Sequence, residues 1–313
     1  MACAPSSLII AKLFAPLSKA LELQGIIVHQ ETEMIVSAIE SLKQEPNYFK
    51  DYIFPIASAF FTALLGAFIA HIALGRQESL KLEKDKLIAA NKWTLDVERA
   101  RSSLVAIKGN YHKQLQANPI QRLASIPSIV MKSEPVVENY QDLAFIVPSE
   151  EKHKKQAHKW AQIPRINAMI GNYNALLHMW EKRNEINEAF KQAILSAYGN
   201  KAFANITMQD AEKAFGRAGL VTLIDVTERC IKLTDHIIIE LNDFLENFPT
   251  YAKTKIDLKR LKNFGKLISY SNNENKILLE LIKPEVEVDF SSVQVLYGES
   301  VQDIKQRHTT GYE

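Results

Sequence analysis

The chain has 313 residues, 47% hydrophobic and 24% charged, an ordinary globular composition that can supply a sizeable core. Its formal net charge of +2 gives no argument for nucleic acid or acidic substrates as partners. Two cysteines, Cys3 and Cys230, exclude a disulfide framework and a thiolate metal cluster; Cys3 follows no leader, so a lipoprotein is not expected.

Residues 1–52 form the first segment. Leu8, Ile9, Leu13, Leu17 and Leu21, then Ile27, Ile35, Ile39 and Leu42, recur mostly at helical spacing. Lys12, Lys19 and Glu22 make this too charged to span a bilayer, and Pro16 and Gly25 break the pattern. Two short amphipathic helices are expected, lying on a membrane surface, on a partner subunit or on each other.

Ile53 to Leu74 then runs 22 residues without a formal charge. A bilayer core about 30 Å thick needs roughly 20 apolar residues at 1.5 Å each. We read residues 53–75 as a single transmembrane helix; the competing reading is the buried helix of a large soluble core. Within the span, Ser58, Thr62, Gly66 and Ala70 form a row at four-residue steps, and Ala59, Ala63 and Ala67 form a second row beside it. Small residues let helix backbones approach closely in lipid, so this face predicts association between spans and hence a homo-oligomer. His71 lies at the edge of that face, as an intramembrane polar candidate near the exit. Lys43 and Lys50 precede the span, while Arg76, Lys81, Lys84, Lys86 and Lys92 follow it. The asymmetry places the C-terminal body in the cytoplasm and residues 1–52 outside, most simply at a bacterial inner membrane.

From Arg76 no Gly occurs until Gly109 and no Pro until Pro119, and Leu, Lys, Glu, Ala and Gln dominate. Residues 76–117 are therefore expected to continue the span as a helical stalk about 60 Å long. Val97, Ala100, Leu104, Ile107 and Tyr111 keep 3–4 spacing, a coiled-coil signal that is ragged upstream. Residues 118–163 carry Pro119, Pro127, Pro135 and Pro148 and read as a connector with one short helix and one extended piece. A basic cluster within it holds Lys152, Lys154, Lys155 and Lys159 with His153 and His158.

Residues 164–283 read as a cytoplasmic helical bundle. Pro164 opens a long helix that runs to Tyr198, with a stripe from Ile166 through Tyr173, Leu177 and Trp180 to Ile194. Thr207 is a natural N-cap for MQDAEKAF. A further helix is expected over 220–248, a fourth, basic one over 251–269, and a short one at KILLELI. Residues 284–313 read as a tail with a short extended piece, a last helical turn and a mobile end. The expected fold class is mainly α: a single-pass transmembrane helix continuing into a long stalk and an irregular helical bundle.

Catalytic signatures are sparse. The chain has no P-loop, G-x-G-x-x-G, G-x-S-x-G, H-E-x-x-H or C-x-x-C, and its eight histidines are scattered, so no cofactor or metal ligand set is legible. One stretch departs from plain helix packing. Asn172, Asn174, Asn184 and Asn187 are poor helix formers inside a long helix, and Asn184 and Asn187 continue its apolar stripe. With Arg183 they are candidates for a buried, mutually satisfied polar network. The Arg183–Asn184 pair also resembles the first half of the motif in HEPN-type ribonucleases, which are helical bundles. That resemblance implies RNA cleavage using Arg183, but Glu188, Ala189 and Phe190 stand where the family's His belongs. The leading expectation is a membrane-tethered sensor or effector that self-associates in the lipid bilayer, engages a protein partner or perturbs the membrane, with host defence as one setting. A membrane-anchored ribonuclease is the alternative.

Overall fold

A computed structural model of the chain describes residues 31–39, 49–130, 133–137, 139–148, 158–199, 206–271 and 275–312. The fold is mainly helical, without a strand among the described residues. The chain divides into two units, one up to Glu78 and one from Ser79. The paired amphipathic helices expected over residues 6–44 fall outside the described residues except for 31–39, which are helical and exposed. Most of the basic cluster, Lys152 to Lys155, is also outside them.

In the first unit a π turn at Phe49–Ile53 leads into helix α1, Phe54–Gly109, with Pro55 in its first turn where the missing N–H costs little. This helix holds a stretch long and apolar enough to cross a membrane, none of it buried in the protein. Phe60, Phe61, Leu65 and Phe68 are each more than 60% exposed.

The second unit is an irregular helical bundle. The helix continues to Gly109 but stops short of the expected 117, and it is no free stalk: Leu87, Ala90, Trp93, Val97, Ala100, Leu104 and Ile107 are buried. They meet the stripes of α3, Ile163–Tyr198, and α5, Arg217–Lys253, in one large core. The stripe that looked like a coiled-coil seam is an intramolecular core face. Trp93, Trp160 and Trp180 are fully buried in it, each removing apolar surface on the order of 2–3 kcal/mol from water. Trp160 Nε1 donates to Asp243 Oδ2 at 3.0 Å and Trp180 Nε1 to Thr234 Oγ1 at 3.0 Å, so neither indole N–H is stranded.

Between α3 and α5 lies α4, Met208–Phe215, closed at its start by a capping box in which Thr207 and Asp210 exchange side-chain and backbone bonds. Gly216, at φ 83°, ends α4 and starts α5, a left-handed backbone that an L side chain resists. The connector folds as α2, Pro119–Ser125, stretches without regular secondary structure at 127–130 and 133–137, and a 3-10 turn at Tyr140–Ile146.

Two expectations fail in this unit. No helix spans 251–269: α5 ends at Lys253, residues 258–264 form turns, and 265–270 are extended. Its apolar residues have helical spacing, yet Gly265 sits at φ 159° and the Asn91 side chain bonds both Lys266 O at 3.0 Å and Ile268 N–H at 2.8 Å, which replaces helical partners. The tail is not loose either. After α6, Lys276–Leu281, come a 3-10 turn at Phe290–Val293, α7 at Gln294–Tyr297 and α8 at Val301–Arg307. Phe290, Val293, Leu296 and Ile304 form a second core with Leu123, Ala211, Leu220, Leu223 and Ile224.

Candidate functional site

The polar residues of α3 work on the connector. Asn184 accepts from Ile129 N–H at 3.1 Å and donates to Ile129 O at 2.7 Å; Asn174 does the same to Val136, at 2.9 Å each way. Each amide imitates a neighbouring strand, satisfying the donor and the acceptor of one extended residue. Asn91 instead bridges two residues, donating to Lys266 O and accepting from Ile268 N–H. Arg183, 0% exposed, donates to Pro127 O at 2.9 Å and Ile126 O at 3.0 Å, with Thr227 Oγ1 at 3.4 Å. Burial pushes its guanidinium down to about 10, which leaves it charged at neutral pH.

The mutual network expected of Asn184 and Asn187 is not formed. Asn184 is half-buried and spends both amide atoms on Ile129, because the connector packs against that face of α3. Asn187 is buried and neither its Oδ1 nor its Nδ2 has a hydrogen-bond partner. The two should therefore respond oppositely. Asn184→Leu strips Ile129 of both bonds and is expected to cost about 1–3 kcal/mol. Asn187→Leu removes an unpaired buried amide and is expected to be neutral or stabilising by about 1 kcal/mol. Thermal unfolding of the two variants beside the parent checks this, and equal losses would contradict it.

A second constellation was not anticipated from the sequence. Charged side chains interrupt the apolar stripe of α5 at Glu228 and Asp235, between Ile224, Ile231 and Ile238. Lys108, fully buried, reaches Asp235 Oδ1 at 2.6 Å and Lys283 O at 2.5 Å, with Glu285 Oε1 at 3.8 Å. Asp235 Oδ2 accepts from Glu285 N–H at 2.8 Å, and Glu285 Oε1 lies 2.6 Å from His112 Nδ1. Burial raises the Asp235 carboxyl, with Lys108 opposing. Arg122 Nη1 donates to Glu228 Oε2 at 2.7 Å and Arg122 Nε to Gln116 O at 2.6 Å, while Nη2 donates to Val286 O.

Glu228 is the anomaly. It is 3% exposed, its Oε1 has no hydrogen-bond partner, and burial pushes its carboxyl up to about 7 despite Arg122 beside it. His308, also buried, stacks on Phe290 with ring centroids 4.8 Å apart. Its Nε2 stands 3.1 Å from Asp225 Oδ1, within ion-pair range, but the approach is outside hydrogen-bond geometry. Burial pushes the Asp225 carboxyl up, but His308, Tyr297 and Arg307 together outweigh it and hold it below the usual range. A cavity of about 420 Å³ opens here, lined by Arg122, Glu228, Asp235, Glu285, Phe290 and His308, with Lys232 and Lys305 also in its wall. The size suits a small ligand. No group of three or more His, Cys, Asp or Glu among the described residues could hold a metal ion.

The remaining site residues expected from the sequence belong to the first unit. Ser58, Ala59, Thr62, Ala63, Gly66, Ala67 and Ala70 are exposed along α1, as is His71. Ser58 Oγ donates to Pro55 O at 3.0 Å and Thr62 Oγ1 to Ser58 O at 2.7 Å, so both hydroxyls are satisfied within their own helix. Cys230 is a buried free thiol whose pKa burial raises well above the usual range. Comparison with protein-family models, with curated proteins and with solved structures found no match.

Proposed function

We propose that the chain is a single-pass membrane protein, with residues 53–75 in the bilayer and the helical body in the cytoplasm, acting as a sensor or effector through self-association. The observation that carries this is the exposure of an uncharged helical stretch. Phe60, Phe61, Leu64, Leu65, Phe68 and Ile72 face outward with no protein cover, and lipid is the solvent in which they cost nothing. The lysine excess after Arg76 supports the orientation. The cavity around Glu228 gives such a protein an input: a small ligand carrying an N–H or O–H donor would satisfy the unpaired Oε1.

Because Ser58 and Thr62 bond their own helix, close packing rather than hydrogen bonding is the force that would join spans. A Cβ added at Gly66 meets nothing within 4 Å, so the isolated chain tolerates a side chain there. Gly66→Leu should nevertheless abolish crosslinked oligomers in native membranes, by holding two backbones apart, while Leu64→Ile should leave them intact. Equal crosslinking in both variants and the parent would mean that the span is only an anchor. The ribonuclease alternative loses its support in the geometry, since the Arg183 guanidinium is spent on connector carbonyls.

A further inference from the structure

The segment expected to be a basic helix is instead a turn-rich loop carrying Lys253, Lys255, Lys259, Arg260, Lys262 and Lys266 against one acid, Asp257. Four ties fasten this loop to the start of the second unit. Asp257 N–H donates to Glu83 Oε2 at 2.6 Å, and Arg260 Nη1 donates to Ser79 Oγ at 2.5 Å. Asn91 holds Lys266 and Ile268, and Lys84 Nζ sits 4.1 Å above the Phe264 ring. Ser79 comes five residues after Leu74, the end of the uncharged stretch. Five residues reach at most about 18 Å even when fully extended. By chain length alone, Ser79, which Arg260 holds, thus lies within about 18 Å of the end of the uncharged stretch.

Within the loop a cavity of about 420 Å³ is walled by Pro249, Lys253, Leu258, Lys262, Lys266 and Ser269. The three lysines are exposed, and Asp257 is taken by Arg260 at 2.9 Å, so it does not neutralise them. Phe264, between Lys262 and Lys266 in the sequence, is 44% exposed. Cations around an opening of this size, with the Ser269 hydroxyl beside them, match an anionic headgroup at the boundary of a bilayer. We propose that this cavity binds the headgroup of an anionic lipid in the membrane the chain spans. The proposal rests on the transmembrane reading above. It gives the body a fixed seat on the membrane surface, with the ammonium groups on the anionic headgroup and Phe264 at the interface.

The test uses the full chain in nanodiscs of phosphatidylcholine, with or without phosphatidylserine. Acetylation rates of single lysines are read by mass spectrometry. Phosphatidylserine should slow modification of Lys253, Lys262 and Lys266 several-fold and leave Lys191, on α3, unchanged. In Lys262→Glu/Lys266→Glu, with the parent's melting temperature, co-purified anionic lipid should fall by about fivefold per charge removed. Equal acetylation in both lipids overturns the lipid site and leaves the transmembrane reading standing. Equal slowing by inorganic phosphate in phosphatidylcholine discs overturns it in favour of a soluble anion. Failure of the chain to enter nanodiscs overturns both.

Discussion

Lys108→Met is expected to destabilise the body by about 3–5 kcal/mol, the cost of leaving buried acids without their counter-ion. For a domain of this size that is on the order of 10 °C in melting temperature. Lys108 pairs with Asp235 Oδ1 at 2.6 Å, with Glu285 at 3.8 Å behind it, and it also serves Lys283 O. Methionine fills much of the volume but offers no donor, so Asp235 Oδ1 and Lys283 O lose their partner together. The loss should shrink as the pH is lowered. The Asp235 carboxyl is already raised by burial, and without Lys108 it rises further, so protonation relieves the unpaired charge at a higher pH than in the parent. The double variant Lys108→Met/Asp235→Asn should recover part of the loss at neutral pH, because the uncompensated charge is gone. Equal stability of Lys108→Met and the parent across pH would contradict the geometry.

The long helices were readable because each buries one face over many turns. The 3.6-residue stripe on α3 and α5 is long enough to outweigh local noise, and Thr207 and Pro164 mark helix starts by their own chemistry. What periodicity does not carry is the identity of the surface that covers a stripe. Val97 to Tyr111 showed an apolar face, but its partners lie far along the chain: Tyr111 stacks on Trp180 and Lys108 meets Asp235. A seam between subunits has the same spacing. The loop after Lys253 misled for the same reason, since Ile256, Leu261, Phe264 and Ile268 repeat like a helix while Asn91 holds them in another form.

The asparagines of α3 stood out as misfits in the sequence, yet their task required the connector to be in place first. A side-chain amide satisfies an extended backbone only when that backbone lies alongside, which is a tertiary fact. The acids of the cavity did leave a signal. Glu228 and Asp235 occupy stripe positions between Ile224, Ile231 and Ile238, and a carboxylate on the buried face of a helix demands a partner. Read that way, the stripe of α5 points to buried charge, while Arg122, His308 and Glu285, on short elements without periodicity, stay invisible until the chain folds back.

Arg183 separates the two functional readings more sharply than any other residue. Its guanidinium closes the end of the connector by binding Ile126 O and Pro127 O, and no other donor among the described residues bonds those two carbonyls. Arg183→Met is expected to cost about 3 kcal/mol, since two carbonyls lose charge-assisted bonds from a fully buried guanidinium. Arg183→Lys should recover only part of this, because a single ammonium cannot reproduce a planar fork aimed at two acceptors. Thermal unfolding gives the order parent, then Lys, then Met. RNA incubated with parent and variants should show no cleavage that depends on Arg183. Cleavage lost in both variants at an unchanged melting temperature would make Arg183 a catalytic group and remove its role as the clasp of the connector.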